Sequence, residues 1–316
     1  MKSGSKTMIL ELLPVVGEDY GIFLQRARLP TSEEYNEGAP ILGAGIDFSR
    51  DLAQAKAISE IIERYTLSPQ FSLMRLRTDV PINIRWADRE FILSESDVRG
   101  VIMPTKHPVL SSACHLTSRD TLQAAMSEAI EREHLVRWCR TCHNTREVFL
   151  AELNLHAEFI PPPLRKFLLP KQMRFVFSWC RNSRSLPAVV CLALNIARDS
   201  FYATSSSSPS PMEAIEKVLL DCVKIFLMEE FSLERGFTTH FDHPLGLLPF
   251  SIREKIISRL PPLTIDDLKP DIRRLNVIEY CGFLHFAPWA SALGRYVISI
   301  ANPNSVATPS LFRCFQ

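Results

Sequence analysis

Two stretches of the same pattern, Ser59-Glu60-Ile61-Ile62-Glu63-Arg64 and Ser127-Glu128-Ala129-Ile130-Glu131-Arg132, decide the fold expected of this chain. Each lies late in an alanine-rich segment, downstream of a Ser-Arg-Asp triplet. Apolar residues at intervals of three and four predict amphipathic helices over about residues 49–67 and 118–140. Packing alone explains a repeat of apolar residues but not a repeat of charges, so the glutamates require their own explanation.

The charged side chains of each segment fall three or four positions apart and therefore share one helix face, separate from the apolar face. One explanation is a solvated face with internal ion pairs. The other is a set of oxygen ligands for Mg²⁺, because clustered carboxylates repel one another unless cations compensate them. The residues concerned are Lys56, Glu60, Glu63 and Arg64 in the first segment, and Glu128, Glu131 and Arg132 in the second.

Composition indicates an ordinary soluble globular protein. Of 316 residues, 46% are apolar and 22% charged, and the net charge of +1 favours neither nucleic acid nor a cationic substrate. We expect a cytoplasmic location and no membrane association, because no convincing signal peptide and no membrane-length apolar run is present. The cysteines are expected to be reduced. Those expected in the core are Cys180, Cys191, Cys222 and Cys281.

Helices and strands are mixed along the chain without a regular alternation, which favours a single α+β domain over a doubly wound sheet. Gly43 and Gly45 predict a close backbone approach. Ser210, Pro211 and Glu213 form a helix start signal for a third helix that ends near Phe231. Residues 205–211 are expected to form a loop and 161–163 a proline break. Strands are predicted at residues 20–28, 173–179, 188–194 and 295–301.

Two other motifs have weaker functional interpretations. Cys139-Arg140-Thr141-Cys142-His143 matches the C-x-x-C-H pattern of haem attachment, but neither an export signal nor a second C-x-x-C supports haem or zinc. Structural thiols are the preferred interpretation. His240 and His243 could supply two metal ligands, but ordinary surface residues in a loop are the preferred interpretation. The sequence has no standard phosphate loop and no nucleophile elbow.

The glutamate helices, taken with their context, resemble the signatures of the YcaO domain family. Gly43 and Gly45 precede a helix that ends in Glu60-Ile61-Ile62-Glu63-Arg64-Tyr65, which resembles the first signature, and residues 128–133 resemble the second. The segment from Pro211 to Lys224 resembles a third signature helix less closely. The likeness covers about residues 15–305, within one YcaO-like domain over residues 1–316.

The resemblance implies an ATP-binding fold in which helix carboxylates bind Mg²⁺ around the phosphates. Members of the family activate a peptide amide oxygen with ATP, and many cyclise Cys, Ser or Thr side chains of a ribosomally made peptide to azolines, as cyclodehydratases in natural-product biosynthesis. By position, the implied metal ligands are Glu60, Glu128, Glu131 and Asp221. The implied nucleotide-binding residues are Lys56, Glu63, Arg64, Arg132 and Lys217. No residue is assigned to catalysis.

Several positions depart from the family pattern. Ala44 stands where many members have Lys, and Lys56 where a small hydroxyl residue is common. Asp221 replaces Glu, and Lys217 stands where Gln is expected. The two lysines could replace phosphate contacts or occupy a metal position, and the second case predicts a non-catalytic scaffold or binding subunit. ATP-dependent peptide bond cleavage is a further alternative. A separate partner protein that binds the leader peptide, and a homodimer, are both compatible with the sequence.

Overall fold

The computed structural model describes residues 10–29, 41–66, 82–86, 89–93, 110–115, 118–144, 146–180, 188–208, 210–234, 242–268, 281–285 and 295–300. Within these ranges the chain forms five α-helices and three sheets, two of which are antiparallel throughout, and this confirms the α+β prediction. None of these helices has the length and apolarity that a membrane crossing requires. The helices are α1 (Arg50–Thr66), α2 (Ser118–Thr141), α3 (Pro162–Leu168), α4 (Pro211–Glu234) and α5 (Phe250–Ile257).

The sheets have strand orders β1-β2-β3, β11-β10-β9-β8-β7 and β5-β4-β12-β13-β6. The strands are β1 (Glu11–Val16), β2 (Phe23–Leu29), β3 (Ile41–Asp47), β4 (Ile82–Trp86), β5 (Arg89–Leu93), β6 (Leu110–His115), β7 (Val148–Glu152), β8 (Arg174–Cys180), β9 (Ala188–Asn195), β10 (Ser200–Ser207), β11 (His243–Pro244), β12 (Cys281–His285) and β13 (Arg295–Ile300).

Contacts divide the chain into two compact units. The first contains β1–β3 and α1, and the second contains β7–β11, α3–α5 and nearly all of α2. The organisation as a single domain over residues 1–316 stays a prediction.

In the first unit, two glycines of β3 allow α1 to lie directly against the strand. A Cβ atom on Gly45 would lie 2.0 Å from the Ala53 carbonyl oxygen, and one on Gly43 would lie 2.5 Å from that of Ala57. No side chain fits in these spaces without moving the helix backbone. The predicted close backbone approach is therefore confirmed, and the surface that the glycines approach is the α1 backbone.

The second unit is built around the strands β7–β10, which are almost entirely buried. The fully buried indole of Trp138 on α2 donates its Nε1–H to Ser178 Oγ of β8 at 2.7 Å. Helix α4 packs on β9 and β10 through residues such as Val218 and Cys222. The sheet thereby holds α2 and α4 in defined positions, and both carry predicted site residues.

Two local predictions were wrong. Strand β10 continues through Ser207, so the predicted loop over residues 205–211 is shorter than expected. Each residue of β10 pairs with a residue of β9, and this pairing overrides the weak strand preference of serine. The triplet 161–163 begins a helix instead of breaking one, because Pro162 occupies the first turn of α3, where no N–H is needed. Strand β7 was not predicted.

The other predicted elements agree with the structure. The first two helices end within one residue of expectation, and α4 begins at Pro211 and ends at Glu234, three residues beyond the predicted Phe231. Strands β8, β9 and β13 lie within one residue of their predicted segments, whereas β2 begins at Phe23, three residues later than predicted, because Tyr20 belongs to a 3-10 turn. Cys180, Cys191 and Cys222 are buried free thiols, and the Cys281 side chain lies outside the part of the chain that the structure describes.

We expect Gly45→Ala to lower the free energy of unfolding by about 3 kcal/mol, because the new methyl group overlaps backbone atoms that cannot move independently. Urea denaturation followed by circular dichroism measures the change. Gly246→Ala is the control, because nothing lies within 4 Å of its Cβ position, and its effect should stay within about 0.5 kcal/mol. Equal effects of the two substitutions would contradict the close approach of α1 to β3.

Candidate functional site

Glu60 of α1 is held by two donors from its own unit. The Ala44 N–H of β3 donates to Glu60 Oε2 at 2.5 Å, and Arg64 Nη2 donates to Glu60 Oε1 at 2.6 Å. Ala44 lies between the two glycines that let α1 approach β3. The close helix–strand packing therefore positions the Glu60 carboxylate against the strand backbone.

Lys56 makes an ion pair that its helical spacing does not predict. Its ammonium donates to Asp47 Oδ2 at 2.7 Å and to the Ile46 carbonyl oxygen at 3.1 Å, so it lies at the end of β3. Half of the Lys56 side chain remains exposed. Glu63, the second glutamate of the motif, is partly buried on the same helix.

The second copy of the motif repeats the ion pair of the first. Arg132 donates from Nε and Nη2 to Glu128 Oε1 at 2.9 and 2.7 Å, as Arg64 donates to Glu60. In both copies the first glutamate thus pairs with the arginine four residues later. The internal ion pairs expected of a solvated helix face are present in both copies.

The second glutamate of the α2 copy, Glu131, has a different environment. Its carboxylate accepts a 2.7 Å hydrogen bond from Ser205 Oγ of β10. Burial raises the pKa of Glu131 to about 7, Lys217 and the Ser205 hydrogen bond lower it, and nearby Asp221 and Glu128 raise it further. Glu131 therefore lies where α2, β10 and α4 place three carboxylates and one ammonium within electrostatic reach of one another.

Lys217 and Asp221 reach this cluster from successive turns of α4. The Lys217 ammonium lies 3.5 Å from the Ser207 carbonyl oxygen. Its charge is the largest of the effects that lower the pKa of Glu131 and so oppose the effect of burial. The Ser207 hydroxyl in turn donates to the Ser127 carbonyl oxygen of α2 at 2.9 Å. The serines of β10 thus connect the two helices that carry the predicted ligands.

The donor chemistry of this cluster fits Mg²⁺, because carboxylate and hydroxyl oxygens are the ligands that the ion prefers. The pKa of Glu131 also shows that its negative charge is incompletely compensated. No group of three or more His, Cys, Asp or Glu side chains in the described ranges is close enough together to form a metal site. In the structure, arginines and lysines supply the positive charge beside the carboxylates.

Sequence analysis missed three polar groups of these sites: Asp47, Ser205 and Ser207. Asp47 is the last residue of the glycine-containing strand, but nothing in its spacing connects it with Lys56. Ser205 and Ser207 lie in a serine run that resembles a loop by composition. A run of four serines has no alternation that would predict a strand, although residues two apart, such as Ser205 and Ser207, face the same side once the strand has formed.

The C-x-x-C-H segment covers the end of α2 and the turn that follows it. Cys139 and Cys142 are buried, while His143 at the end of α2 is exposed. Burial raises the pKa of Cys142 to about 12, which keeps its side chain a neutral thiol. Both cysteines are buried free thiols, in agreement with the preferred interpretation as structural thiols. His243 packs at 5.6 Å against the Phe201 ring, and His240 lies outside the described residues.

No family model and no curated protein sequence matches the chain. Solved structures do match it. The structure of YcaO from Methanopyrus kandleri bound with AMPPCP and Mg²⁺ superposes with a TM-score of 0.54 over 92% of this chain and 84% of that chain, at 15% identity. The chain has the YcaO fold. The resemblance inferred from the two glutamate helices is confirmed at the level of fold.

Two further structures share the YcaO fold. A chain of the E. coli microcin synthetase McbBCD complex with pro-MccB17 bound gives a TM-score of 0.60 at 12% identity, over 96% of this chain and 89% of that one. A heterocyclase in complex with substrate and cofactor gives 0.53 at 11% identity, with 87% of this chain matching 47% of the heterocyclase. At such identities the likeness establishes the fold, and the roles of individual residues remain predictions.

We expect the stability of the metal-free protein to decrease as pH rises from about 4.5 to about 7, because folded Glu131 retains its proton over this range and the unfolded chain does not. Glu131→Gln should remove this decrease. Above pH 7, the substitution should raise the free energy of unfolding by about 1 to 3 kcal/mol relative to the native residue.

Urea denaturation at several pH values tests this expectation. Glu158→Gln is the matched control, because Glu158 is exposed and its substitution should leave the pH dependence of the unfolding free energy unchanged. An identical pH profile for the native protein and Glu131→Gln would contradict the environment described for Glu131.

Proposed function

We propose that this protein is an ATP- and Mg²⁺-dependent enzyme that modifies backbone amides of a ribosomally made peptide, by cyclodehydration to azolines or by closely related chemistry. The observation that supports this most strongly is the cluster of Glu131, Ser205, Lys217 and Asp221 on a YcaO fold. A buried, incompletely compensated carboxylate beside an ammonium is suited to a ligand that carries both a cation and phosphates.

When bound, Mg²⁺ and ATP would supply phosphoryl transfer to the amide oxygen, with positioning and charge neutralisation providing most of the catalysis. The proposed metal ligands are Glu60 in the first unit, and Glu128, Glu131 and Asp221 in the second. The proposed nucleotide-binding residues are Lys56, Glu63 and Arg64 in the first unit, and Arg132 and Lys217 in the second. These assignments are carried over by position from the resemblance to the YcaO signatures.

Glu131 is the proposed metal ligand whose protonation state a bound cation would change. With a pKa of about 7, its carboxyl group is partly protonated near neutral pH, and a bound cation would displace that proton. The hydroxyl of Ser205 holds one carboxylate oxygen in place throughout. A bound cation would also offset the repulsion that Asp221 and Glu128 exert on the ionised form.

The two arginines of the motif are easily redirected. Arg64 is 57% exposed and Arg132 is 35% exposed in their ion pairs with the first glutamates. Such helix-surface pairs contribute about 0.3–0.5 kcal/mol, so separating them costs little. Each arginine could therefore release its glutamate and bind a phosphate through its planar donors. The released glutamate would then be available to the metal.

We expect the native protein to bind ATP in the presence of Mg²⁺ and Glu128→Gln to lose that binding, because the neutral amide cannot compensate the metal charge. Isothermal titration calorimetry with ATP, with and without Mg²⁺, measures both. Glu158→Gln serves as the control and should bind like the native protein. Tight ATP binding unaffected by Glu128→Gln would contradict the proposal.

A non-catalytic, YcaO-like binding subunit is the second candidate, and the ammonium of Lys217 beside Glu131 favours it. An ammonium that substitutes for the metal would exclude the cation, whereas one that contacts phosphate would assist nucleotide binding. The same distinction applies to Lys56, which is already paired with Asp47.

The substitution Lys217→Gln separates the two candidates. The proposed enzyme should lose about tenfold in affinity for ATP with Mg²⁺, as expected for one charged phosphate contact. A gain in affinity would show that Lys217 occupies the cation position. Mass spectrometry of a treated peptide then distinguishes the reaction, because cyclodehydration removes one water, peptide bond cleavage gives fragments and a binding subunit leaves the mass unchanged.

A further inference from the structure

Strand β7 is the outermost strand of the sheet in the second unit, and half of its backbone faces away from that sheet. The Leu153 N–H donates to the Phe175 carbonyl oxygen at 2.8 Å, in register with the β7–β8 pairing. Antiparallel strands alternate between residues bonded to the partner and residues that point away from it. The backbone groups of Ala151 therefore point to β8, and those of Leu150 and Glu152 point outward.

The outward groups of Glu152 are already bonded. Its N–H donates to the Pro261 carbonyl oxygen at 2.9 Å, and its carbonyl accepts from the Leu263 N–H at 2.9 Å. The segment 261–263 thus runs parallel to β7 beside Glu152. Among the residues that the structure describes, none makes such bonds to the outward groups of Leu150, two residues earlier.

A cavity of about 310 Å³ opens along this uncovered part of β7, and we call it the β7 groove. Its size falls at the lower end of ligand pockets, which span about 300–1,000 Å³. The groove combines apolar side chains with two basic ones, and its lining contains no acidic residue among those described. The lining residues are Val148, Phe149, Leu150, Lys255, Ser258, Arg259, Leu260 and Pro261.

The walls of the β7 groove are fixed by hydrogen bonds and ring stacking. Arg174 donates to both carboxylate oxygens of Glu152 at 2.8 and 2.7 Å and to the Ile256 carbonyl oxygen at 2.8 Å, which joins β7 to α5. The Phe149 ring stacks on Trp179 at 5.3 Å and remains 40% exposed. A groove preorganised in this way loses little entropy when a ligand binds.

We propose that the β7 groove binds an extended peptide segment with acidic side chains, which adds a further strand beside Leu150. Main-chain hydrogen bonds to Leu150 would hold the segment, as in other cases of strand addition. Arg259 is exposed and makes no ion pair with any described residue, so it can receive a carboxylate from the peptide, with Lys255 beside it. Identifying this peptide as the substrate would rest on the proposed function. Binding of the peptide to the groove does not depend on that function.

Fluorescence polarisation with the full chain tests the proposal, using a labelled peptide of alternating valine and glutamate as the probe. Arg259→Glu should weaken binding by about tenfold or more, because it replaces an attraction with a repulsion. Arg198→Glu is the matched control, since Arg198 is an exposed arginine at the turn between β9 and β10. It should leave the affinity unchanged.

Hydrogen exchange adds a readout of strand formation. The bound peptide should slow exchange in the fragment that contains residues 148–153, and a version of the peptide with N-methylated backbone should lose both binding and protection. Binding is measured without ATP and Mg²⁺, so that its failure and failure of nucleotide binding are separate results. The proposal would be overturned if the peptide did not bind, if Arg259→Glu left its binding unchanged, or if the protected residues lay elsewhere. It would also be overturned if two copies of this chain paired through the groove and the peptide did not displace them.

Discussion

The hydrogen bonds between the serines of β10 and helix α2 are the constraint on which the candidate site depends. Ser207 binds the helix backbone at Ser127, and Ser205 binds the Glu131 carboxylate one turn later. Because β10 is paired along its whole length with β9, these hydroxyls are held by the sheet and not by a mobile loop. The sheet therefore positions a carboxylate where burial raises its pKa, and α4 brings Lys217 and Asp221 to the same place.

The two copies of the motif use the same residues in different ways. In both, the first glutamate pairs with the arginine four residues later, an interaction of modest strength at an exposed helix surface. Their surroundings differ: Glu60 also binds the β3 backbone, whereas in the α2 copy the second glutamate bonds to a strand serine. Each copy thus combines a weak ion pair with a carboxylate that the fold holds in place. A cation and phosphates could separate the ion pair and bind its charged groups without unfolding either helix.

Helices α1, α2 and α4 could be predicted because their apolar spacing and start signals are local properties of the sequence. The close approach at Gly43 and Gly45 was also predicted, because glycine has no side chain to keep a neighbouring backbone away. By contrast, β10 and the Lys56–Asp47 pair depend on tertiary pairing, which overrides serine composition and helical spacing. The resemblance to YcaO signatures identified the fold, but the contacts of Lys217 with β10 could not be obtained from sequence alone.

Infrared difference spectroscopy of Glu131 tests the central claim most directly. At about pH 6, below the raised pKa, the metal-free protein should show the band of a protonated carboxyl group, and Glu131→Gln should lack it. Addition of Mg²⁺ and ATP should abolish this band, because a cation at Glu131 displaces its proton. Persistence of the Glu131 band in the protein saturated with Mg²⁺ and ATP would contradict the account.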